Sequence, residues 1–191
     1  MPSIAARIPP QLPPAEWMAA IPVASRFILQ GAARARAAAA AAWGAGFSDE
    51  ACRATLEGTR ATLWLGPDEF LLLDLAAQGA QPTADAQHTL ETAMAGIPHS
   101  LVDISHRQFA LAVSGPHAQV ILRGACPLDL DLGEFPVGMC TRTVLAKAEV
   151  VLWRTRADAF HLEAWRSFAA YVSGLLGEIA HEFYGDIQPR A

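Results

Sequence analysis

The sequence is poor in lysine, in paired cysteines and in long apolar runs. Lys147 is the only lysine among 191 residues and the formal net charge is -5, so the chain lacks the basic stripe that is typical of nucleic-acid-binding proteins. No apolar run reaches the roughly 20 residues of a membrane-spanning helix. The 3 cysteines contain no CxxC pair, which argues against a secreted disulfide framework. We therefore expect a cytoplasmic protein with reduced, buried thiols.

Motifs that mark common enzyme classes are also missing. The sequence has no glycine-rich phosphate loop, no HExxH and no GxSxG. Asp103, Ser105 and His106 are close in sequence, but their order and spacing favour capping of a turn over a hydrolase triad. His117 falls in the first turn of a predicted helix, where we expect it to be solvated. The remaining histidines lack the spacing of metal ligands: His88, His99, His161 and His181. The sequence thus predicts no catalytic, cofactor-binding or metal-binding residue.

What the chain does have is an unusual share of apolar residues. Hydrophobic residues make up 52% of it and charged residues 17%, which predicts an ordered core and apolar surface that a partner covers. Residues 1–24 are proline-rich and predict an extended N-terminal arm without a signal-peptide core. This arm is either a loose terminus or a segment that lies on a neighbouring subunit. Residues 25–185 are expected to form a single domain.

The hydrophobic pattern predicts strands and helices in the same order in both halves of this domain. In the first half we expect strands at 26–31, 52–56, 59–65 and 70–75, and helices at 32–43 and 83–94. In the second half we expect strands at 109–113, 143–152 and 158–163, and helices from Pro116 and at 167–181.

These elements predict two pseudo-repeats, at about 25–96 and 99–182. Each has the order strand–helix–strand–strand–strand–helix, and they recur at a spacing of roughly 85–90 residues, which is too long for a solenoid. The sequence therefore predicts an α+β protein with mostly antiparallel sheets. We expect the two copies to bury each other's helices.

Two cysteines and two tryptophans occupy matching positions in the repeats. Arg142 could lower the pKa of Cys140 and make a reactive thiolate, but Cys52 beside Arg53 has a similar neighbourhood, which favours a structural role for both thiols. Trp64 and Trp153 are expected in the core. Glu69 and Glu149 are too isolated in sequence to predict an acid–base pair.

Six segments together resemble the gamma subunit of heterotetrameric sarcosine oxidase. They are WLGPDEFLL (64–72), VDIS (102–105), SGPHA (114–118), CPLDL (126–130), GMCTRT (138–143) and LWR (152–154). The resemblance covers about residues 26–179. That family is related to the folate-binding fold of the glycine-cleavage T-protein, an aminomethyltransferase, which agrees with a duplicated α+β pattern.

The resemblance implies a non-catalytic subunit in a complex with alpha, beta and delta subunits. Such a complex oxidises sarcosine to glycine and hydrogen peroxide, and forms methylene-tetrahydrofolate when tetrahydrofolate is present. The resemblance implies that FAD, FMN, NAD, tetrahydrofolate and zinc belong to the other subunits and that this chain holds no cofactor. It therefore assigns no catalytic residue here and predicts no activity for the chain alone.

The sequence leaves two further hypotheses. The first, the alternative to a gamma subunit, is a stand-alone folate-binding protein or one-carbon transferase, in which Asp103, Glu149 or Glu163 would face the pterin in a concave pocket. The segment 138–141 is also similar to the Lys-Gly-Cys-Tyr-x-Gly-Gln motif of folate-dependent iron–sulfur-maintenance proteins. The chain lacks the lysine, the tyrosine and the Gly-Gln of that motif.

Overall fold

The computed structural model describes residues 17–22, 25–76 and 80–184. Within these ranges the strands are β1 (Met18–Ile21), β2 (Ser25–Gln30), β3 (Ala54–Glu57), β4 (Arg60–Gly66), β5 (Glu69–Asp74), β6 (Ser100–Asp103), β7 (Gln108–Ser114), β8 (Cys140–Leu145), β9 (Ala148–Arg156) and β10 (Ala159–Trp165). The helices are α1 (Ala33–Trp43), α2 (Ala80–Ala93), α3 (Ala118–Arg123) and α4 (Ala169–Tyr184), with a 3-10 turn at Arg166–Phe168 before α4. None of these helices combines the length and the apolarity that a membrane crossing needs.

The strands form two five-stranded antiparallel sheets. The N-terminal sheet has the order β3-β4-β5-β2-β6, and the C-terminal sheet has the order β1-β7-β10-β9-β8. The two orders correspond strand for strand, so the predicted α+β class with duplicated antiparallel sheets is confirmed.

The chain stacks in four layers: two helices, two sheets and two helices. α1 and α2 cover the outer face of the N-terminal sheet through Trp43, Leu90 and their neighbours. α3 and α4 cover the outer face of the C-terminal sheet through residues such as Ile121 and Leu176. The two sheets meet face to face through a third core cluster. The expectation that the copies bury each other's helices is wrong, because each helix pair packs on the sheet of its own half and the sheets themselves form the contact.

Alanine spacing defines the buried face of α1, and a glycine ends the helix. Ala35, Ala39 and Trp43 are spaced by four residues and are fully buried, because side chains at this spacing share one helix face. Gly44 ends the helix with φ +77°, a left-handed conformation that glycine adopts without steric cost. The sequence predicted both the helix and its end.

The first strand of each half pairs with the sheet of the other half. β1 precedes the N-terminal sheet in the chain but pairs with β7, and β6 precedes the C-terminal sheet but pairs with β2. β1 lies inside the predicted N-terminal arm; residues 1–16 and 23–24 of that arm lie outside the described residues. This exchange ties the two halves together through backbone hydrogen bonds.

Two sequence predictions differ from the structure in detail. The single strand predicted at 143–152 is a hairpin of β8 and β9, because Ala146 adopts φ +50° and turns the chain. The helix predicted to begin at Pro116 begins at Ala118, with His117 at its N-terminal cap position. The turn at Ala146 contains no glycine or asparagine that would mark its positive φ in the sequence, whereas Gly115, with φ +106°, lies in the turn before α3.

Candidate functional site: the layer between the sheets

A buried ionic cluster joins the two sheets. Arg26 on β2 and Glu163 on β10 are each 1% exposed, and Arg26 Nε donates to Glu163 Oε2 over 2.7 Å. His161, two residues before Glu163, places Nε2 2.8 Å from Glu163 Oε1. His161 and Glu163 face the N-terminal sheet because they alternate with Phe160 and Leu162, which face the helices on the other side.

Both carboxylate oxygens of Glu163 have a partner within the chain. One carboxylate oxygen accepts from Arg26 and the other faces His161. A buried carboxylate with an arginine and a histidine around it has its charge compensated. The arrangement is therefore suited to holding the sheets in register, and not to binding a pterin through Glu163.

The residues considered for a hydrolase triad form a turn. Asp103 Oδ1 accepts hydrogen bonds from the Ser105 N–H (2.8 Å) and from the Ser105 hydroxyl (2.6 Å). Ser105 Oγ in turn accepts from the backbone N–H of Arg26 over 2.9 Å. His106 is exposed. The turn prediction is confirmed, and Asp103 is already engaged with Ser105.

Cys140 is a core residue and not a reactive thiolate. Its side chain is fully buried, and burial raises its pKa to about 12. The thiol donates to the carbonyl oxygen of Trp64 over 3.6 Å. Arg142 points elsewhere and binds Glu69 through both terminal nitrogens, so it does not activate Cys140. The structural interpretation of this thiol is confirmed, and the thiolate interpretation is wrong.

This burial predicts a clear order of thiol reactivity. At pH 8 iodoacetamide should modify the partly exposed Cys52 well before Cys140, because a thiol with a pKa of about 12 is a thiolate in only about 10⁻⁴ of molecules. Mass spectrometry of timed samples measures the order, and the urea-unfolded chain is the control in which all three thiols react. Equal rates at Cys52 and Cys140 in the folded chain would contradict the assignment.

The same thiol should make the folded chain less stable at high pH. The folded pKa of Cys140 lies above its ordinary value of 9.0, so the folded chain holds a proton that the unfolded chain releases as the pH rises from about 9 towards 12. The free energy of unfolding should fall in that range. Denaturation of Cys140→Ala beside the parent chain at pH 8 and pH 10.5 checks this, since the variant should lose less stability between the two pH values.

The other histidines do not assemble a metal centre. Within the described residues no group of three or more histidine, cysteine, aspartate or glutamate side chains could hold a metal ion. His88 and His181 are exposed. His117 is half-buried and stacks on Phe183 with ring centroids 6.1 Å apart, so it is solvated only in part.

The two tryptophans differ in burial. Trp153 is 4% exposed and lies in the core cluster between the sheets, 5.8 Å from the His161 ring. Trp64 is partly buried and packs against the same cluster. Both belong to the core, as the sequence predicted.

A small cleft opens between the sheets beside the ionic cluster. Its apolar walls come from both sheets, and Gln108, Glu149, Glu163, Arg107 and Arg142 supply its polar lining. We call it the inter-sheet cleft. Its volume is about 20 Å³, which suits one or two water-sized groups. A pterin needs a pocket of several hundred Å³, so this cleft does not hold one as it stands.

Arg142, which lines the inter-sheet cleft, is bound to Glu69. Arg142 on β8 reaches Glu69 at the start of β5, with Nη1 3.2 Å from Oε2. This hydrogen bonding raises the pKa of Arg142. Glu149, which the sequence left without a role, lines the cleft and has an exposed side chain. Glu69 and Glu149 do not form an acid–base pair, because Glu69 is bound to Arg142.

Sequence reasoning missed Arg154, whose guanidinium is fully buried. It donates to the carbonyl oxygens of Leu130 and Phe135, both over 2.8 Å, and to that of Ala157 over 2.6 Å. It also donates to Gln119 Oε1 over 3.0 Å and lies over the Phe160 ring. Arg154 thus fixes the 125–139 loop on the C-terminal sheet. Its position directly after the apolar run 150–153 was a signal that the sequence offered.

Comparison with known proteins gives a consistent result. A model of the sarcosine oxidase gamma subunit family matches residues 30–182. The sarcosine oxidase subunit gamma of Corynebacterium sp. (strain P-1) is 37% identical over 129 residues, which are 68% of this chain and 60% of that protein. The protein of the same description from Arthrobacter sp. is 38% identical over 128 residues, 66% of this chain and 60% of that protein. The chain thus aligns with about 60% of the length of these curated relatives.

Two solved structures share the fold. A chain of heterotetrameric sarcosine oxidase from Corynebacterium sp. U-96, in complex with pyrrole 2-carboxylate, superposes with a TM-score of 0.79 and 30% identity, covering 90% of this chain and 87% of that chain. The glycine cleavage system aminomethyltransferase T of Bartonella henselae superposes with a TM-score of 0.61 and 14% identity, covering 83% of this chain and 44% of that protein. The second likeness concerns the fold alone.

Proposed function

The chain belongs to the sarcosine oxidase gamma subunit family, and we propose that it is the non-catalytic gamma subunit of a heterotetrameric sarcosine oxidase. In this proposal alpha, beta and delta subunits carry FAD, FMN, NAD, tetrahydrofolate and zinc. The complex oxidises sarcosine to glycine and hydrogen peroxide, and it forms methylene-tetrahydrofolate when tetrahydrofolate is present. The observation that carries the proposal is the superposition on a chain of a heterotetrameric sarcosine oxidase over 90% of the present chain.

The chemistry between the sheets supports a structural role. Glu163 is held by Arg26 and His161, Asp103 by Ser105, and the Cys140 thiol stays protonated. Each of these side chains has a hydrogen-bond partner within the chain, and the cleft beside them has a volume of only about 20 Å³. They instead fix the positions of the two sheets relative to each other.

Exposed apolar side chains support the presence of partners. Several large ones in the described residues are between 44% and 51% exposed: Leu56, Val102, Leu132, Val137 and Trp165. Apolar side chains at this exposure are covered when subunits associate, which stabilises the complex by about 25 cal/mol per Å² of buried apolar area before the costs of association.

Co-expression tests the proposal directly. The chain should co-purify with the alpha, beta and delta subunits, and the complex should form hydrogen peroxide from sarcosine. The chain alone should show no turnover and no flavin absorbance, and a preparation lacking only this chain should lose most of its assembled complex. A full yield of active complex without this chain would overturn the proposal.

The folate-binding alternative rests on the fold likeness to an aminomethyltransferase. It predicts heat and a fluorescence change when the isolated chain is titrated with tetrahydrofolate. We expect neither, because two of the three candidate carboxylates, Asp103 and Glu163, are engaged within the chain. Saturable binding by the isolated chain would favour the alternative.

A further inference from the structure

Two hydrogen-bond acceptors in the inter-sheet cleft lack a partner. Gln108 is 6% exposed, yet its Oε1 accepts no hydrogen bond. Glu149 makes no hydrogen bond or ion pair with any described residue, although its charge acts on Arg142. An unpaired buried acceptor such as Gln108 Oε1 costs free energy of the size of a lost hydrogen bond, and the exposed carboxylate of Glu149 adds a negative charge, so a cationic donor that enters the cleft is stabilised there.

Two of the other three charged groups of the cleft are bound within the chain. Arg142 binds Glu69, and Glu163 is held by the ionic cluster. The Arg107 guanidinium lies 5.2 Å from the centroid of the Trp165 ring. The hydrogen-bonding capacity that remains at Gln108 and Glu149 is that of an acceptor pair with one negative charge.

The shape of the cleft limits the size of this donor. Its volume of about 20 Å³ admits a head group of one or two heavy atoms. Its walls include Ile28, Leu65 and the 44% exposed Trp165, which suit a chain of methylene groups. Lysine combines a compact ammonium group with such a stem, whereas the guanidinium of arginine is larger and planar.

We propose that the inter-sheet cleft receives a lysine side chain from another subunit of the oxidase. The ammonium group donates to Gln108 Oε1 and to the Glu149 carboxylate, and the stem packs against Trp165. Trp165 and Arg107 both line the cleft and contact each other, and tryptophan and arginine are frequent among the residues that contribute most to binding at interfaces. The inference rests on the proposed function and names the surface by which this chain holds its partner.

Carbodiimide coupling of the assembled complex tests the contact. The reagent activates a carboxyl group, a neighbouring amine displaces it, and an amide forms while the reagent leaves as a urea. The chain carries Lys147→Arg, which removes its only lysine, so any amide between Glu149 and a lysine joins two chains. We expect mass spectrometry to find this cross-linked peptide, and Glu149→Gln to abolish it. An intact complex without a Glu149–lysine cross-link would overturn the inference.

The variant Gln108→Leu distinguishes between two occupants of the cleft, a partner's lysine and a trapped water. For the isolated full chain we expect unchanged or higher stability, because the variant removes an unpaired acceptor. In competition with differently tagged parent chain during co-expression, its incorporation into the complex should fall about tenfold or more. Gln87→Leu, on the α2 surface, is the matched control and should compete equally.

The opposite pattern would refute the lysine contact. If water fills the cleft in all states, Gln108→Leu destabilises the isolated chain and competes as well as the parent. If the parent chain itself fails to co-purify with the other subunits, the proposed function fails and this inference with it. If the parent assembles while Gln108→Leu competes equally, only this inference fails.

Discussion

Replacing Glu163 by methionine is expected to lower the free energy of unfolding by about 3–5 kcal/mol. The side chain is 1% exposed and its partner Arg26 is equally buried. Removal of the carboxylate leaves the guanidinium in a layer from which water is excluded, and it also takes the acceptor away from His161. Urea denaturation of the purified chain measures the loss.

Two comparisons show whether the loss comes from an unpaired buried charge. The double variant Arg26→Met with Glu163→Met should be more stable than Glu163→Met alone, because well-packed apolar residues can replace a buried ion pair at little cost. Glu69→Met breaks the half-exposed pair with Arg142 and should cost about 1 kcal/mol or less. A loss at Glu163 no larger than at Glu69 would contradict the role given to the ionic cluster.

Replacing Arg154 by methionine is expected to cost at least about 3 kcal/mol. The change leaves the carbonyl oxygens of Leu130, Phe135 and Ala157 without the donor that they share. Hydrogen bonds from a charged donor are worth about 1.5–3 kcal/mol each, and buried carbonyl groups without a donor add to the loss. Arg154→Lys should recover only part of it, because an ammonium group cannot reproduce the planar fork.

The destabilisation caused by Arg154→Met should be concentrated in the 125–139 loop. Amide hydrogen exchange of the 125–139 loop should accelerate strongly in Arg154→Met, whereas exchange in β4 and β5 should change little. Arg156→Met is the matched control, since Arg156 is 72% exposed and lies 3.8 Å from Asp158. Uniform acceleration across both sheets would show that Arg154 supports the whole fold and not the loop.

Much of the secondary structure follows from local patterns in the sequence. The alternation at 109–113 and the apolar run at 70–75 correspond to β7 and β5, because a period of two marks a half-buried strand and a continuous apolar run marks a strand that is covered on both faces. The alanine-rich run before Gly44 corresponds to α1. The hairpin at Ala146 escaped prediction, because alanine carries no signal for a positive φ.

The features of the inter-sheet layer were much harder to predict. Arg26 and Glu163 are 137 positions apart, and neither belongs to a motif that links them. Gln108 sits at the start of a strand and has no sequence feature that marks an unpaired acceptor. The sequence left open that Arg142 activates Cys140, although it favoured a structural thiol, and only the position of Glu69 across the sheets shows where that arginine is directed.

The sequence by itself determined the family, the α+β class and the duplicated order of elements, because these depend on local periodicity and on short segments in a fixed order. Tertiary structure alone decided that the halves exchange β1 and β6, that the sheets rather than the helices meet, and that Arg26, His161 and Glu163 compensate one another. The physical reason is distance along the chain. Hydrogen bonds and ion pairs between strands depend on how two sheets are stacked, and a one-residue shift in register would turn each of these side chains to the opposite face.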